Sequence, residues 1–443
     1  MKLAKSLLLG SAAAFVATTG YAADLPSTKA APVTYVKVCD IYGAGFFYIP
    51  GTDTCLKVGG RVRADYSMAG KQDVYTAAAG TVAILAGAQN ASGNEARGRL
   101  DMDARTGTGY GTVQTVSSFR VHRTSGNLTA STSSTGAGTA APQLEAAYMR
   151  FAGFTFGVAK DNFAFMPSRF YGAGHWGSFA NGAMQIAYTA VLGGGFSATI
   201  ALQDKSYTSA GATITGGTGT LDASYDRLPQ VNGRLDFEQS FGSLSLAGAV
   251  GQNHTVTSAT STAYDKSKMA YAISGSAKIN LPMLAAGDAI WLTTAYADGM
   301  TEYTTNWTSF KSSDQARVVG GRVQNHVSYF TGTTGIENFK SWNVAAVMDH
   351  YWAPQWRQSF LATYGSINAP ATLNARAWGV TGGGFADAKV WNVGSQIAFL
   401  PTKDFEIGIE ALYARVQNSN STTAAANVSQ GNWTGRMRVE RTF

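Results

Sequence analysis

From Glu95 to Arg105 a charged side chain occupies every second position: Glu95, Arg97, Arg99, Asp101, Asp103 and Arg105. Between them stand Ala96, Gly98, Leu100, Met102 and Ala104. A pleated strand sends successive side chains to opposite faces, so this segment has one charged face and one uncharged face, a separation no helix produces. The pattern recurs from Leu56 to Met68, where Lys57, Arg61, Arg63, Asp65 and Ser67 oppose Leu56, Val58, Val62, Ala64, Tyr66 and Met68. It returns at the end of the chain, where Arg436, Arg438, Glu440 and Thr442 alternate with Trp433, Gly435, Met437, Val439 and, past the out-of-step Arg441, Phe443. In a soluble sandwich the charges would meet water and the apolar side a core. In a barrel crossing a membrane, the apolar side meets lipid and the charges line a wet lumen.

The start of the chain favours the second arrangement. Residues 1–22 read as an export signal: Lys2 and Lys5 give a positive start, Leu7 to Val16 is mostly apolar, and Gly20-Tyr21-Ala22 offers a small-x-small cleavage site. No run of about 18 apolar residues follows, so no helical span is available. An exported chain that enters a membrane without helices must close into a barrel, because lipid offers no partners for open strand edges. Charged residues are only 14% of the chain, against roughly a quarter in ordinary domains, while Gly (51), Tyr (20), Phe (22) and Trp (9) are plentiful. The formal charge of +7 is spread along the strands, which argues against a nucleic-acid partner.

Sixteen period-two segments are legible: 56–68, 95–105, 112–122, 145–152, 154–160, 184–191, 196–203, 231–240, 244–252, 269–279, 290–298, 341–351, 356–365, 389–400, 405–416 and 433–443. Short connections such as 106–111 and 401–404 alternate with long ones rich in Gly, Ser, Thr and Asn, such as 69–94, 125–143 and 299–340. The expected fold is therefore an all-β, transmembrane, antiparallel β-barrel of 16 strands over residues 55–443, with short periplasmic turns and long extracellular loops. Residues 23–54 form an N-terminal segment, read either as a periplasmic piece or as a hairpin tucked into the mouth. Cys39 and Cys55 suit an oxidising compartment as a disulfide, closing a loop worth roughly 3 kcal/mol in the chain-entropy view.

The stretch from Val38 to Leu56, with Cys39, Tyr42-Gly43, Gly45-Phe46-Phe47-Tyr48-Ile49-Pro50-Gly51-Thr52 and Cys55, resembles the signature opening the alphaproteobacterial, Rhizobiales-type outer-membrane porins. The segment Arg227-Leu228-Pro229 through Arg234, Asp236, Gln239 and Phe241-Gly242-Ser243 is similar to that family's middle strand and turn. The resemblance implies a water-filled channel in the Gram-negative outer membrane, a homotrimer among lipid and lipopolysaccharide, passing ions and small hydrophilic solutes by passive diffusion. It implies that terminal Phe443 is presented to the assembly machinery. It also implies that the third long loop, about Asp161 to Ala183, folds into the lumen. That loop carries Phe163, Phe165, Arg169, Tyr171, His175, Trp176 and Phe179, read as packing against the wall rather than as a solute slide. Loops of this type oppose acidic residues to a basic wall; here the loop offers only Asp161.

A pore requires a wet bore and a charge pattern rather than a catalyst. The expected basic wall at the constriction is Arg61, Arg63, Arg97 and Arg99. Asp101, Asp103, Arg120, Asp161, Arg169, His175, Arg436 and Arg438 complete the expected pore lining. Two readings of this stripe stay open: a local field that favours anions, or polar groups that hydrate the lumen and pair with one another. A sugar- or anion-selective channel and, more remotely, a surface-binding adhesin are the alternatives. Enzyme readings find little support. His122, His175, His254, His326 and His350 show no metal-ligand spacing, and neither a nucleophile elbow nor a cofactor motif is present. The Thr106–Gly111 run reads as turn chemistry rather than an ion filter.

Overall fold

The computed structural model describes residues 37–70, 72–78, 81–88, 91–126, 137–139, 141–171, 182–204, 214–215, 221–222, 228–257, 266–304, 328–330, 336–368, 370, 387–419 and 429–443. The expected export signal, His175, Trp176 and Phe179 lie outside the described residues.

Sixteen strands close on themselves. They are β1 (Thr54–Ala69), β2 (Ala91–Thr108), β3 (Gly111–Ser125), β4 (Gln143–Phe151), β5 (Phe154–Lys160), β6 (Gly182–Gly193), β7 (Phe196–Gln203) and β8 (Gln230–Gln239). The second half comprises β9 (Gly242–Thr257), β10 (Lys266–Asn280), β11 (Ala289–Asp298), β12 (Lys340–Ala353), β13 (Trp356–Asn368), β14 (Asp387–Thr402), β15 (Phe405–Ser419) and β16 (Ser429–Thr442). Each strand pairs antiparallel with its neighbours in chain order, and β1 completes the ring by pairing with β16 from Arg61↔Thr442 to Ala69↔Thr434. Beyond that ladder, Phe443 and Gly60 exchange both backbone hydrogen bonds at 3.0 Å, sealing the last turn of the seam.

Every expected strand is present, but several run longer than the alternation of side chains indicates. Strand β2 begins at Ala91, β9 extends to Thr257 and β13 reaches Asn368. Alternating polarity is imposed by lipid, so it fades where a strand leaves the bilayer, while the hydrogen-bond ladder continues. For the same reason the expected long loops hold structure. Gln72–Ala78 and Thr81–Ala88 form a hairpin between β1 and β2, and Ser328–Phe330 pairs with Ile336–Asn338 between β11 and β12.

The outward faces carry the apolar residues, among them Val58, Val62, Leu100, Ile200, Leu246, Ile273, Ile409 and Met437, each more than a third exposed. Aromatic side chains gather in two belts. Near the short turns are Phe154 with Tyr188 (ring centroids 4.8 Å), Phe196 with Phe237 (4.4 Å) and Trp356 with Phe399 (4.9 Å). Near the long loops are Trp342 with Tyr364 (5.4 Å) and Tyr413 between Trp391 and Trp433 (5.3 and 5.1 Å). Trp356 and Tyr364 share β13; eight residues at ~3.3 Å rise and ~40° tilt span about 20 Å of membrane, close to the ~25 Å apolar band of such barrels.

Turns are tight where the sequence allows. Ala152-Gly153 joins β4 to β5 with both φ positive (49° and 85°), the geometry that suits the twist of a two-residue hairpin. The Thr106–Gly111 run is indeed a turn, with the Thr108 hydroxyl donating to the Gly111 carbonyl at 2.6 Å.

The described part of the N-terminal segment, residues 37–54, forms a hairpin with the start of β1. Phe47 and Tyr48 pair with Leu56 and Cys55, Asp40–Tyr42 makes one 3-10 turn, and the Cys39–Cys55 disulfide clamps the base with a Cα separation of 6.0 Å. Cys55 faces inward on β1, so the hairpin lies in the short-turn mouth. Both cysteines are fully buried against Phe46, flanked by Tyr42 and Tyr48. Replacing both cysteines with serine is expected to lower the unfolding free energy by about 3 kcal/mol, read as a drop in urea midpoint relative to wild type.

Candidate channel constriction

The inward faces of β16, β1, β2 and β3 bring the arginines together. Across the ladder Arg61 faces Arg99, Arg63 faces Arg97, and Arg99 in turn faces Arg120. Directly opposed like charges, about 5 Å apart at Cβ, repel one another, and the same face must compensate. It does so with interleaved carboxylates. Arg438 donates two hydrogen bonds to Asp65 at 2.6 and 2.7 Å, and Arg63 lies between Asp65 (3.6 Å) and Glu95 (3.8 Å). Arg97 reaches Glu95 at 2.6 Å, and Arg61 reaches Glu440 at 3.7 Å. Arg99 contacts Asp101 at 2.7 Å and Glu145 at 3.2 Å; Arg120 meets Glu145 at 2.8 Å, and Arg105 holds Asp103 at 2.7 Å. Arg436 stands 4.0 Å from Asp65. Eight arginines thus meet six carboxylates, an excess of two positive charges. Nor are they equally placed. Arg63 and Asp65 are buried in the network, whereas Arg99, Asp101 and Arg120 keep 29%, 37% and 29% of their side chains accessible.

Glu145 is the partner that sequence reading passed over. Glu145 is the extra residue of a β-bulge, where Ser118 faces Ala146 but Phe119 faces Leu144. The bulge sets its carboxylate between Arg99 and Arg120.

The segment after β5 turns inward and runs along the wall from β8 to β16. Asp161 starts it, as an anchor rather than the bore-facing acid expected: it is 2% exposed, and its Oδ1 accepts the Phe163 N–H at 2.7 Å. Arg234 of β8 donates to the carbonyls of Asn162 and Ala164 at 3.0 and 3.1 Å. Met166 seats in an apolar socket of Ala345, Val347, Leu361 and Leu412, with Phe170 and Trp291 packed against it. Arg169 pairs with Asp349 at 2.8 Å. At the far end Tyr171 is clamped on all sides: its N–H donates to Glu410 at 2.5 Å, its hydroxyl to Glu406, its carbonyl accepts from Arg436 at 2.5 Å, and Arg438 lies 4.3 Å from its ring centroid. Burial and the adjacent Glu406 carboxylate push the Tyr171 phenol well above its usual range, keeping it a hydrogen-bond donor.

A second inward segment accompanies the first. Met300, Thr301, Glu302, Tyr303 and Thr304, after β11, are all buried. Tyr303 stacks on Phe163 with centroids 4.1 Å apart, and Gln230 and Asn232 of β8 donate to its hydroxyl. Thr304 bonds Ser341 at 2.5 Å. Of the described loop aromatics, Phe163, Phe170 and Tyr171 pack the inner segments against the wall. Arg436 and Arg438 link this clamp to the arginine ladder through Asp65, so one continuous polar network joins the inner loop to the opposite edge of the wall.

A profile of the porin subfamily matches residues 24–436. The chain belongs to that family. A porin of Brucella suis, Omp2b, is 34% identical over 264 residues, covering 57% of this chain and 66% of the relative, so the match spans just under two thirds of that relative's length. The outer-membrane channel DcaP of Acinetobacter baumannii shares the fold, with a TM-score of 0.60 at 14% identity over 89% of this chain and 99% of that one. A loop-deletion form of OmpT, an outer membrane protein of Vibrio cholerae, aligns with a TM-score of 0.50 at 9% identity over 88% of this chain and 100% of that one. This porin is an outer-membrane protein of a Gram-negative bacterium, and Brucella relatives agree with the alphaproteobacterial resemblance in its N-terminal signature.

Proposed function

We propose that this chain forms a water-filled channel through which ions and small hydrophilic solutes diffuse passively across the outer membrane, with Arg61, Arg63, Arg97 and Arg99 as the basic wall of its narrowest part. The observation that carries the reading is the accessibility of Arg99, Asp101 and Arg120 inside a closed barrel whose inner loop hugs the opposite wall. Water reaches those groups because a sixteen-stranded barrel is wide enough to hold an aqueous channel beside its loop. The excess of two positive charges supports a modest anion preference. Homotrimer assembly is supported by small side chains on the outer face of β1 and β2, where Ala64, Ala96, Gly98 and Ala104 permit close approach of a neighbouring barrel. Phe443, 69% exposed at the seam, is the group that assembly machinery would engage.

Proteoliposomes carrying the protein are expected to swell in sugar solutions at rates that fall smoothly with sugar size, and planar bilayers should show ohmic steps. Saturation of uptake by one sugar would replace this reading with a selective channel. Absence of conductance would replace it with a closed, surface-binding barrel.

A further inference from the structure

The geometry points to a binding site for small aromatic carboxylates in the short-turn mouth of the bore, built from Arg105, Gln114, Tyr148 and Arg150 of β2–β4 and Tyr42 of the N-terminal hairpin. This inference deepens the channel reading and rests on it. Two adjacent rows of cross-strand neighbours form the floor. Lys57, Asp103, Val116 and Tyr148 make one row; Cys55, Arg105, Gln114 and Arg150 make the next. Arg105 and Arg150 stand two strand spacings apart, about 10 Å between Cα atoms at ~4.8 Å per spacing, with Gln114 between them. A carboxylate bridging two guanidiniums by ordinary charge-assisted hydrogen bonds holds their carbons about 8 Å apart, which that spacing accommodates.

The charges are less evenly matched here than in the rest of the ladder. These two rows hold three cations, Lys57, Arg105 and Arg150, and one carboxylate, Asp103. Arg105 takes it through Nε (3.1 Å) and Nη2 (2.7 Å), and Gln114 donates to it at 3.0 Å. Arg150 forms no carboxylate pair among the described residues; it is solvent-exposed and lies 4.8 Å from the Tyr148 ring centroid. Arg105 lies 4.9 Å from the centroid of Phe46 and 5.7 Å from that of Tyr42. A guanidinium stacked on a ring keeps its N–H donors at its rim, so stacking does not use up the groups that bind an anion. Tyr42 and Tyr148 are partly exposed beside those donors. A bare inorganic anion would use the charge alone. A ligand carrying a ring beside its carboxylate also stacks on Tyr148 or Tyr42, and that second contact selects it.

The test uses the full-length protein in planar bilayers in KCl, with benzoate, acetate or benzylamine added to one side at a time. Benzoate is expected to reduce the current from one side at a concentration about fivefold or more below that of acetate, and benzylamine is expected to have no effect. Arg150→Gln should raise the half-blocking concentration of benzoate about tenfold, the loss of one charge-assisted contact. Tyr148→Leu should bring benzoate to the level of acetate. Equal block by benzoate and acetate, or a block indifferent to Arg150→Gln, overturns the site while the KCl current leaves the channel reading standing. Absence of any KCl current overturns both.

Discussion

Replacing Arg61, Arg63, Arg97 and Arg99 together with glutamine is expected to move the zero-current potential of the channel toward that of a cation-selective pore. Eight arginines against six carboxylates become four against six, so the patch changes from an excess of two positive charges to an excess of two negative ones. Fields inside a narrow cleft change local ion concentrations by an order of magnitude or more, so the cation-to-anion permeability ratio should rise about tenfold at low salt. The shift should shrink as salt rises, because the screening length falls from ~30 Å at 0.01 M to ~10 Å at 0.1 M. A stability penalty accompanies the change. The Arg63 side chain is 9% exposed and stands between Asp65 and Glu95, so its removal is expected to destabilise the barrel by about 3 kcal/mol. Arg61 and Arg99 are more accessible, at 28% and 29%, and replacing only these two should give about half the electrical shift with little loss of stability. An unchanged zero-current potential in the folded quadruple variant would remove these arginines from the constriction.

The strand plan was legible because lipid writes a strict rule into the sequence: at Leu56–Met68 and Glu95–Arg105 each alternate position must be tolerable to acyl chains. The arginine ladder was legible for the same reason, since its residues occupy the other parity. Its compensation was harder to see. Glu145 joins the ladder through a bulge, and a bulge breaks the very alternation that identifies a strand. The anchors of the inner loop were invisible for a different reason. Glu406, Glu410, Asp349 and Arg234 look like any inward polar residues of an alternating strand; only the three-dimensional course of the loop sets them apart. The inward turn at Thr301–Tyr303 gave still less warning. Thr-Glu-Tyr is an ordinary loop sequence, and Tyr303 is buried only because Phe163, Gln230 and Asn232 converge on it from distant parts of the chain. Asp161 was legible as an acid but not as an anchor, because its role depends on accepting a backbone N–H two residues ahead.

Gly408→Val is expected to lower the open-channel conductance and introduce frequent closures. Gly408 faces inward on β15 between Glu406 and Glu410, the two carboxylates that grip Tyr171. A Cβ at this position would stand 1.9 Å from the Tyr171 hydroxyl oxygen and 2.9 Å from its Cζ, distances at which one partner must move. The barrel wall is held by ladders on both sides, to β14 and to β16, so the loop is the part that yields. Moving Tyr171 off the wall pushes it toward the bore axis, since the wall blocks the other direction. The displacement also breaks its hydrogen bonds to Glu406 and Glu410, each worth roughly 1.5–3 kcal/mol as a contact to a charged group, so the loop end becomes loosely held. Single-channel recordings read both consequences, as a smaller step and as flicker. Tyr171→Ala supplies the decisive control: removing the ring empties the space that the valine side chain needs. In the double variant the clash is gone, and the step size should return toward that of Tyr171→Ala alone. Contacting residues behave non-additively in this way, whereas independent ones add. If Gly408→Val leaves the conductance unchanged and quiet, or if the two substitutions act additively, then Tyr171 does not hold the loop against this wall.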